Sequence, residues 1–413
     1  MAAKDRMLRI LLVGKGGREH ALAWKLTRSQ LVEHVWIAPG NAGTEVLPKA
    51  SNCQDIAESD YSGLVQLAQK LCINLVVVGP DDHVVGGLGD HFRNSGIPCF
   101  APSKQAAIIE GSKDWAKDFM RRRKIPTAAY ETFSKMDYEK AKASLKRPGR
   151  RVVIKAAGLA AGKGVVVPET PEQAEKALEE IMLSSKFGKA GETVIVEDSI
   201  LTLPPGQDHK RAHDGDKGLN TGGMGVYTPV LSVSVAEMAE IEETIIRPTV
   251  RGLELEGRPF NGMLFTGIMM AASGPKVLEY NARFGDPETQ SMILLLPDEA
   301  LPELILACVE ERLADVNLSA PSEFACNITV AAGGYPGSYR KGDVVQMDTP
   351  PPGVHIFHAG TERVSGELRT AGGRVFSVAA TGTTLEEAVL AAYAGVQSIH
   401  FEGMFYRRDI AAR

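Results

Sequence analysis

The stretch that most constrains the fold comes first: a short apolar run, Leu8 to Val13, passes directly into Gly14-Lys15-Gly16-Gly17-Arg18-Glu19-His20 and a helical pattern ending near Leu26. A strand that turns through glycine into a helix is the first half of a βαβ unit. A second strand is expected around Val35 to Ala38 and a third at Leu75 to Gly79, which ends in Gly79-Pro80-Asp81-Asp82. Strands alternating with helices at this spacing predict a doubly wound parallel sheet with helices on both faces. Ligands bind such sheets outside the carboxyl ends of the strands, so the loops after Val13, Ala38 and Val78 are the candidate ligand loops.

This first unit is expected over 1–103. A linking helix, Lys104 to Lys124, leads into a second α/β region over 104–323. Its expected parts are strands at Val152–Lys155 and Val165–Val167, a helix at Pro171–Leu183 and a strand at Val194–Glu197. A helix at Ala236–Glu256 and two apolar strands, Met263–Ala271 and Lys276–Asn281, follow. Past Phe324 the chain turns to short strands broken by Gly and Pro, with one helix at Leu385–His400. That pattern predicts a small β-rich unit over 324–413.

Whole-chain properties narrow the function classes. Hydrophobic residues at 44% and charged residues at 23% describe an ordinary globular chain. A formal net charge of −5 argues against a general nucleic-acid binder. The basic run Arg121-Arg122-Arg123-Lys124 closes a helical pattern before Ile125-Pro126, where cations favour a helix C-terminus. The five cysteines share no CxxC spacing, which speaks against structural zinc or a disulfide framework and suits a reducing cytoplasm. No apolar run near the start reaches signal-peptide or membrane-spanning length, so no membrane partner is expected.

Three stretches carry chemistry. Lys155-Ala-Ala-Gly158-Leu-Ala-Ala-Gly162-Lys163-Gly164 lies between two strands, and its glycines and lysines suit a phosphate chain. A plain hairpin turn is the competing reading, because the spacing is not that of a Walker A loop. The second stretch runs from Val277 to Gln290. Residues two apart on a strand share a face, so Glu279 and Asn281 project together as hard oxygen ligands suited to Mg²⁺. Arg283 follows, placed for an anionic group, and Asp286 can pair with an ammonium group. The third couples Gln207-Asp208-His209-Lys210-Arg211 to Asn220-Thr221-Gly222-Gly223-Met224-Gly225 across Asp214-Gly215-Asp216, which has the composition of a mobile polar loop. A lone histidine such as His209 would ordinarily lie on the surface, but donors beside a glycine loop suit a small zwitterionic substrate. Gly14-x-Gly16-Gly17 lacks the third glycine of a dinucleotide fingerprint, so a sugar phosphate fits this helix N-terminus better than NAD.

Together these stretches closely resemble the phosphoribosylamine–glycine ligase family of purine biosynthesis, along essentially the whole chain. Arg283-Phe284-Gly285-Asp286-Pro287-Glu288 looks like the family signature, and Asn220 to Gly225, Gly333-Gly334-Tyr335-Pro336-Gly337 and Phe357-His358-Ala359-Gly360-Thr361 also match. Several wordings resemble fungal members, in which this ligase is usually joined to a cyclo-ligase. The resemblance implies a central ATP-grasp domain and ATP-driven joining of glycine to 5-phosphoribosylamine through an acyl phosphate. It implies Mg²⁺ (or Mn²⁺) on Glu279 and Asn281, with ATP on Lys113, Lys155, Gly162, Lys163 and Glu197. Gly17, Arg18, Pro39, Gly40 and Asn41 would face the phosphoribosyl group. Asn220, Thr221 and Gly222 would bind substrate, and Asp208, Arg283 and Asp286 would serve the reacting groups.

The sequence also departs from the family pattern. Lys15, Asp81 and Ala157 stand where other residues are usual, and Glu197-Asp198-Ser199-Ile200 runs almost directly into Leu203-Pro204-Pro205, as if a hairpin were lacking. Another ATP-grasp ligase of carboxylase or peptide type, or a nucleotide-binding protein without catalysis, remains the alternative from the residues alone.

Overall fold

The computed structural model describes residues 7–127, 142, 154–155, 165–166, 200–319 and 321–412. The N-terminal strands β1 (Leu8–Gly14), β2 (Val32–Pro39), β3 (Ala50–Asn52), β4 (Leu75–Val78) and β5 (Cys99–Phe100) form one parallel sheet in the order β3-β2-β1-β4-β5. The order reverses at β1, the switch point at which ligand crevices open in sheets of this kind. Helix α1 (Gly17–Arg28) packs on one side of the sheet. Leu11, Val13, Val76 and Val78 face the opposite core with Phe92 and Phe119. Each large apolar side chain buried in this way contributes roughly 1.5–3 kcal/mol.

The expected linking helix is two helices, Ile108–Gly111 and Lys113–Arg122, divided at Ser112. Ser112 is extended, and its hydroxyl accepts from the Trp115 amide, which starts a new helix where the apolar pattern alone suggested continuity. The basic run ends that second helix. Arg121 and Arg122 pair with Asp118, and Arg122 and Arg123 pair with Glu256, so these charges face the protein's own carboxylates. Within the central region, β6 (Ile154–Lys155) and β7 (Val165–Val166) pair antiparallel across the glycine-rich stretch. The helix expected at Ala236–Glu256 is helical from Val235 to Leu255, with a π-helical turn at Glu242–Ile246.

A second five-stranded sheet is antiparallel and joins distant parts of the chain. Strands β8 (Gln207–Asp208), β11 (Gly225–Thr228) and β14 (Phe324–Ala331) lie beside β16 (Val354–His358) and β19 (Arg374–Gly382), in the order β16-β19-β14-β11-β8. The pairing of Gly225 with Ile328 carries this sheet across position 324. Strands β9 (Arg211–His213) and β10 (Lys217–Asn220) form a hairpin between β8 and β11, and β12 (Phe265–Ala271) pairs with β13 (Gly274–Asn281). Small pairs β15 (Gln346–Met347) with β20 (Ile399–His400), and β17 (Thr361–Val364) with β18 (Glu367–Thr370), complete the C-terminal part. The helix expected to run to His400 ends at Val396, and His400 belongs to β20. All five cysteines are unpaired, and no described helix is long and apolar enough to cross a membrane.

Candidate active site

At the carboxyl end of β1, Glu19 organises the glycine turn. Its carboxylate accepts from the Gly16 amide at 2.6 Å and lies 2.5 Å from Arg18 Nε. The same carboxylate fills the space that a Cβ at Gly14, Gly16 or Gly79 would need, and Gly14 also holds a φ of +130°. Arg18 is therefore not a free cation at the crevice. It is buried, and its Nη1 donates to the Phe284 carbonyl at 3.2 Å. Asn41 is engaged in the same way: Nδ2 donates to the Lys15 and His358 carbonyls at 2.8 Å, and Oδ1 accepts from the Gly43 and Thr44 amides. Pro39 ends β2, and a Cβ on Gly40 would meet the Asn52 side chain. The Arg18 and Asn41 side chains, expected to face a phosphoribosyl group, are thus engaged with the protein itself. What these loops present is backbone at the N-terminus of α1. Lys15 turns away to Glu58 at 2.8 Å.

Glu279 and Asn281 share a face by simple alternation, and a bulge decides which face it is. The β12–β13 register shifts between Gly267 and Ile268, leaving Leu278 as an extra residue. Before the bulge Pro275 and Val277 are buried, and after it Tyr280 is. The bulge thereby turns Glu279 and Asn281 to the open face together, as bulges beside functional sites do. Asn281 Oδ1 accepts from Arg283 Nη2 at 2.9 Å. Arg283 Nε lies 3.3 Å from Glu110, whose other oxygen accepts from the Ala282 amide at 2.7 Å. Burial raises the Glu110 carboxyl above the usual range, against the pull of Arg283. Glu110 sits in a stretch that reads as ordinary helix, so nothing in the sequence marked it.

Asp208, at the end of β8, lies 2.5 Å from Lys210 Nζ, and Glu288 lies 3.9 Å from the same ammonium. The surrounding protein strips part of the ammonium's hydration, but Asp208 and then Glu288 override that and hold Lys210 above the usual lysine range. Burial pushes the Glu288 carboxyl up, opposed by Lys210 and reinforced by Asp208. Two carboxylates thus share one cation, which leaves the cluster suited to a further cationic group.

Asp286, expected to pair with an ammonium group, is held by Arg374 of β19. Nη2 lies 2.7 Å from its carboxylate and Nη1 donates to its carbonyl at 2.9 Å. Burial would raise the Asp286 carboxyl, but Arg374 and Arg18 hold it below the usual range. Gln290 Nε2 donates to the other Asp286 oxygen at 2.8 Å. Asn327 on β14 donates to the Pro287 carbonyl and to Ser291, and Ser291 donates to the Val226 carbonyl, so the C-terminal sheet fixes this whole turn.

The glycine loop closes over the cluster. Thr221 is buried, with its hydroxyl on the Lys210 carbonyl, and the Gly222 amide donates to the Tyr335 hydroxyl at 3.1 Å. A Cβ on Gly222 would meet the Arg374 guanidinium, and one on Gly223 would meet Pro287 and Asp208. Asn220 ends β10 and pairs with Arg211. The loop expected to be mobile is tied down, since Asp409 accepts from the Gly215 amide and Arg407 binds Asp216. His209 is likewise buried, between the Gly225 carbonyl and the Ala411 amide, where burial lowers its pKa.

The structure thus brings Asp208, Thr221, Gly222 and Asp286 together, and joins Arg283 to Asn281 at the end of β13. Lys113 opens the helix at 113–122, and Lys155 is seen as backbone in β6. Gly162, Lys163, Glu197 and Ala157 lie outside the described residues, as do the helix and strand expected over 171–197 and the shortened junction before Ile200. Among the described residues no group of three or more His, Cys, Asp or Glu is arranged as a metal site. Glu279 and Asn281 supply hard oxygen atoms of the type that suits Mg²⁺, and Asn281 Oδ1 also accepts from Arg283. The contacts of Arg374 and Tyr335 with this site were not legible because both residues lie in the stretch that reads as a separate C-terminal unit.

Family comparisons cover almost the whole chain. Residues 8–110 match the family model described as phosphoribosylglycinamide synthetase, N domain; residues 111–289 match its ATP-grasp (A) domain; and residues 325–413 match its C domain. A bifunctional purine biosynthetic protein of Schizosaccharomyces pombe is 50% identical over 420 residues, covering 97% of this chain and 53% of that protein. The chain therefore spans about half the length of such fungal relatives. The phosphoribosylamine–glycine ligase of Vibrio vulnificus is 43% identical, with 98% of both chains covered. Among solved structures, the phosphoribosylamine–glycine ligase of Thermotoga maritima superposes with a TM-score of 0.78 at 32% identity, covering 97% of this chain and 100% of that one.

Proposed function

Since this chain belongs to the phosphoribosylglycinamide synthetase family, we propose that it joins glycine to 5-phosphoribosylamine with ATP, giving glycinamide ribonucleotide, ADP and phosphate. The observation that carries this reading is the Asp208–Lys210–Glu288 cluster lying under the Asn220–Gly225 loop and beside Asp286. Two carboxylates on one ammonium, next to a guanidinium-held aspartate, suit a small molecule carrying both an amine and a carboxylate.

In the proposed reaction, glycine's carboxylate attacks the γ-phosphate and forms glycyl phosphate. The amine of phosphoribosylamine then displaces phosphate. Much of the acceleration comes from positioning and charge stabilisation, so no nucleophilic Ser or Cys is required. The ATP-grasp domain implies ATP with a divalent cation. We assign Glu279 and Asn281 as the protein's ligands for Mg²⁺ or Mn²⁺, which when bound would offset the phosphate charge. Lys113, Lys155, Gly162 and Lys163 would face the phosphates and Glu197 the nucleoside. The backbone at Gly17, Pro39 and Gly40 would face the phosphoribosyl group. The stretch Gly158 to Gly164 would close over the acyl phosphate, which hydrolyses if water reaches it. A cytoplasmic enzyme fits the five unpaired cysteines, and fusion to a cyclo-ligase fits the fungal relative's length.

Phosphate release from ATP, measured with glycine alone, phosphoribosylamine alone and both, tests the assignment. Full turnover is expected only with both, and turnover indifferent to glycine would sink it. Glu279→Ala should abolish cation-dependent turnover with the fold retained.

A further inference from the structure

We propose that Gln290 orients the incoming amine, its side-chain carbonyl oxygen accepting an N–H of 5-phosphoribosylamine while the nitrogen attacks the acyl carbon. The inference rests on the ligase reading above and extends it to a residue outside that reading.

Gln290 is 1% exposed, yet its Oε1 has no hydrogen-bond partner among the described residues. An unmade hydrogen bond at a buried amide is a standing cost that a bound donor would remove. The orientation of the amide is fixed chemically. The Asp286 carboxylate only accepts, so the nitrogen of Gln290 faces it at 2.8 Å and the oxygen faces the other way. Arg374 holds Asp286 from the opposite side, so Asp286 cannot turn to release the amide.

Position supplies the second half of the case. A Cβ on Gly17 would lie 3.0 Å from the Gln290 amide nitrogen and 3.3 Å from Ala359, so this amide lies directly beneath the first residue of α1. Gln290 thereby stands where the N-terminal backbone loop meets the Arg283–Gln290 segment. An amine carried by a group on the first loop would meet an acyl group on the second near this junction.

The chemistry asks for an acceptor at that point. The nitrogen lone pair forms the C–N bond, and the carbon–oxygen bond to phosphate breaks with its electrons. One amine proton leaves with the departing phosphate. Gln290 takes no proton. Its oxygen holds an N–H so that the lone pair points at the carbonyl carbon, and this bond strengthens as positive charge grows on the nitrogen.

The test compares the full chain with Gln290→Met in two assays. One is ligation with phosphoribosylamine. The other replaces that amine with hydroxylamine, which traps the activated glycine as its hydroxamate and is small enough to attack without orientation. The ratio of ligation to trapping is expected to fall by about 30-fold in the variant. An unchanged ratio, whether both rates hold or both fall together, would overturn the assignment and leave Gln290 a structural partner of Asp286. If Gln290→Met does not fold, Gln290→Asn, which withdraws the amide by one methylene, is read by the same ratio. Wild-type protein that joins neither amine to glycine would instead sink the ligase reading, and the Gln290 assignment with it.

Discussion

The loops that close the parallel sheet and the segment Arg283 to Gln290 are both polar in sequence, but they use their side chains in opposite ways. In the first, Arg18, Glu19 and Asn41 bind the protein's own backbone and charges, so the surface they leave is main chain. In the second, Glu288 and Gln290 each keep an enclosed side-chain oxygen with no hydrogen-bond partner among the described residues. The difference teaches that enclosure alone does not mark chemistry. A polar group with its partners made is architecture, whereas one enclosed without them is poised for a ligand.

Perturbing the second region should therefore harm catalysis first, and the largest effect is expected at its anchor. Arg374→Ala leaves the half-buried Asp286 without its ion pair, so kcat/KM for glycine should fall by about 100-fold and stability by about 2 kcal/mol. Steady-state kinetics with urea unfolding would check both, and a wild-type response to glycine would break the contrast. Gly223→Ala comes next. Its φ of +128° disfavours any side chain, and the new Cβ would lie 2.4 Å from Pro287 and 2.8 Å from Asp208. A loss of about 2 kcal/mol and a sharp fall in turnover are expected by thermal melting and assay.

A pH titration sharpens the structural character of the first region. His20 of α1 accepts at Nδ1 from the His358 amide at 2.8 Å, where the N-terminal loops meet β16. Burial lowers His358 to about 4 from an ordinary 6.5, and also lowers His20. Between these values the unfolded chain binds more protons than the folded one, so stability is complete above about pH 6.5 and is lost as pH falls toward 4. His358 alone should cost about 2 kcal/mol between pH 7 and pH 5. His358→Asn should flatten that part of the curve. The smallest effect belongs to Lys15→Ala, because the Lys15–Glu58 pair has a lysine side chain 67% exposed. Less than about 1 kcal/mol and no more than a roughly twofold change in KM for phosphoribosylamine are expected. A larger kinetic change would place Lys15 in the substrate site after all.

The parallel sheet was legible because β1, β2 and β4 are contiguous apolar runs closed by glycine or proline, and period and punctuation are local properties. Glu279 and Asn281 were legible as a pair for the same reason, although which face of the strand they take depends on the bulge at Leu278. The linking helix was misjudged because an N-cap at Ser112 outweighs apolar continuity. His209 and the turn at Asp214–Asp216 were misjudged because their partners, Ala411, Arg407 and Asp409, lie about 200 residues further along the chain.

The sequence by itself determined the elements, the family and the residue types at the site, since periodicity and motif spacing are written along the chain. Only the tertiary structure decided which polar groups are engaged and which are left wanting. The antiparallel sheet crosses position 324 and brings Arg374 to Asp286 and Asn327 to Pro287. Whether a buried oxygen is satisfied depends on donors that arrive from distant strands, and no local pattern encodes their arrival.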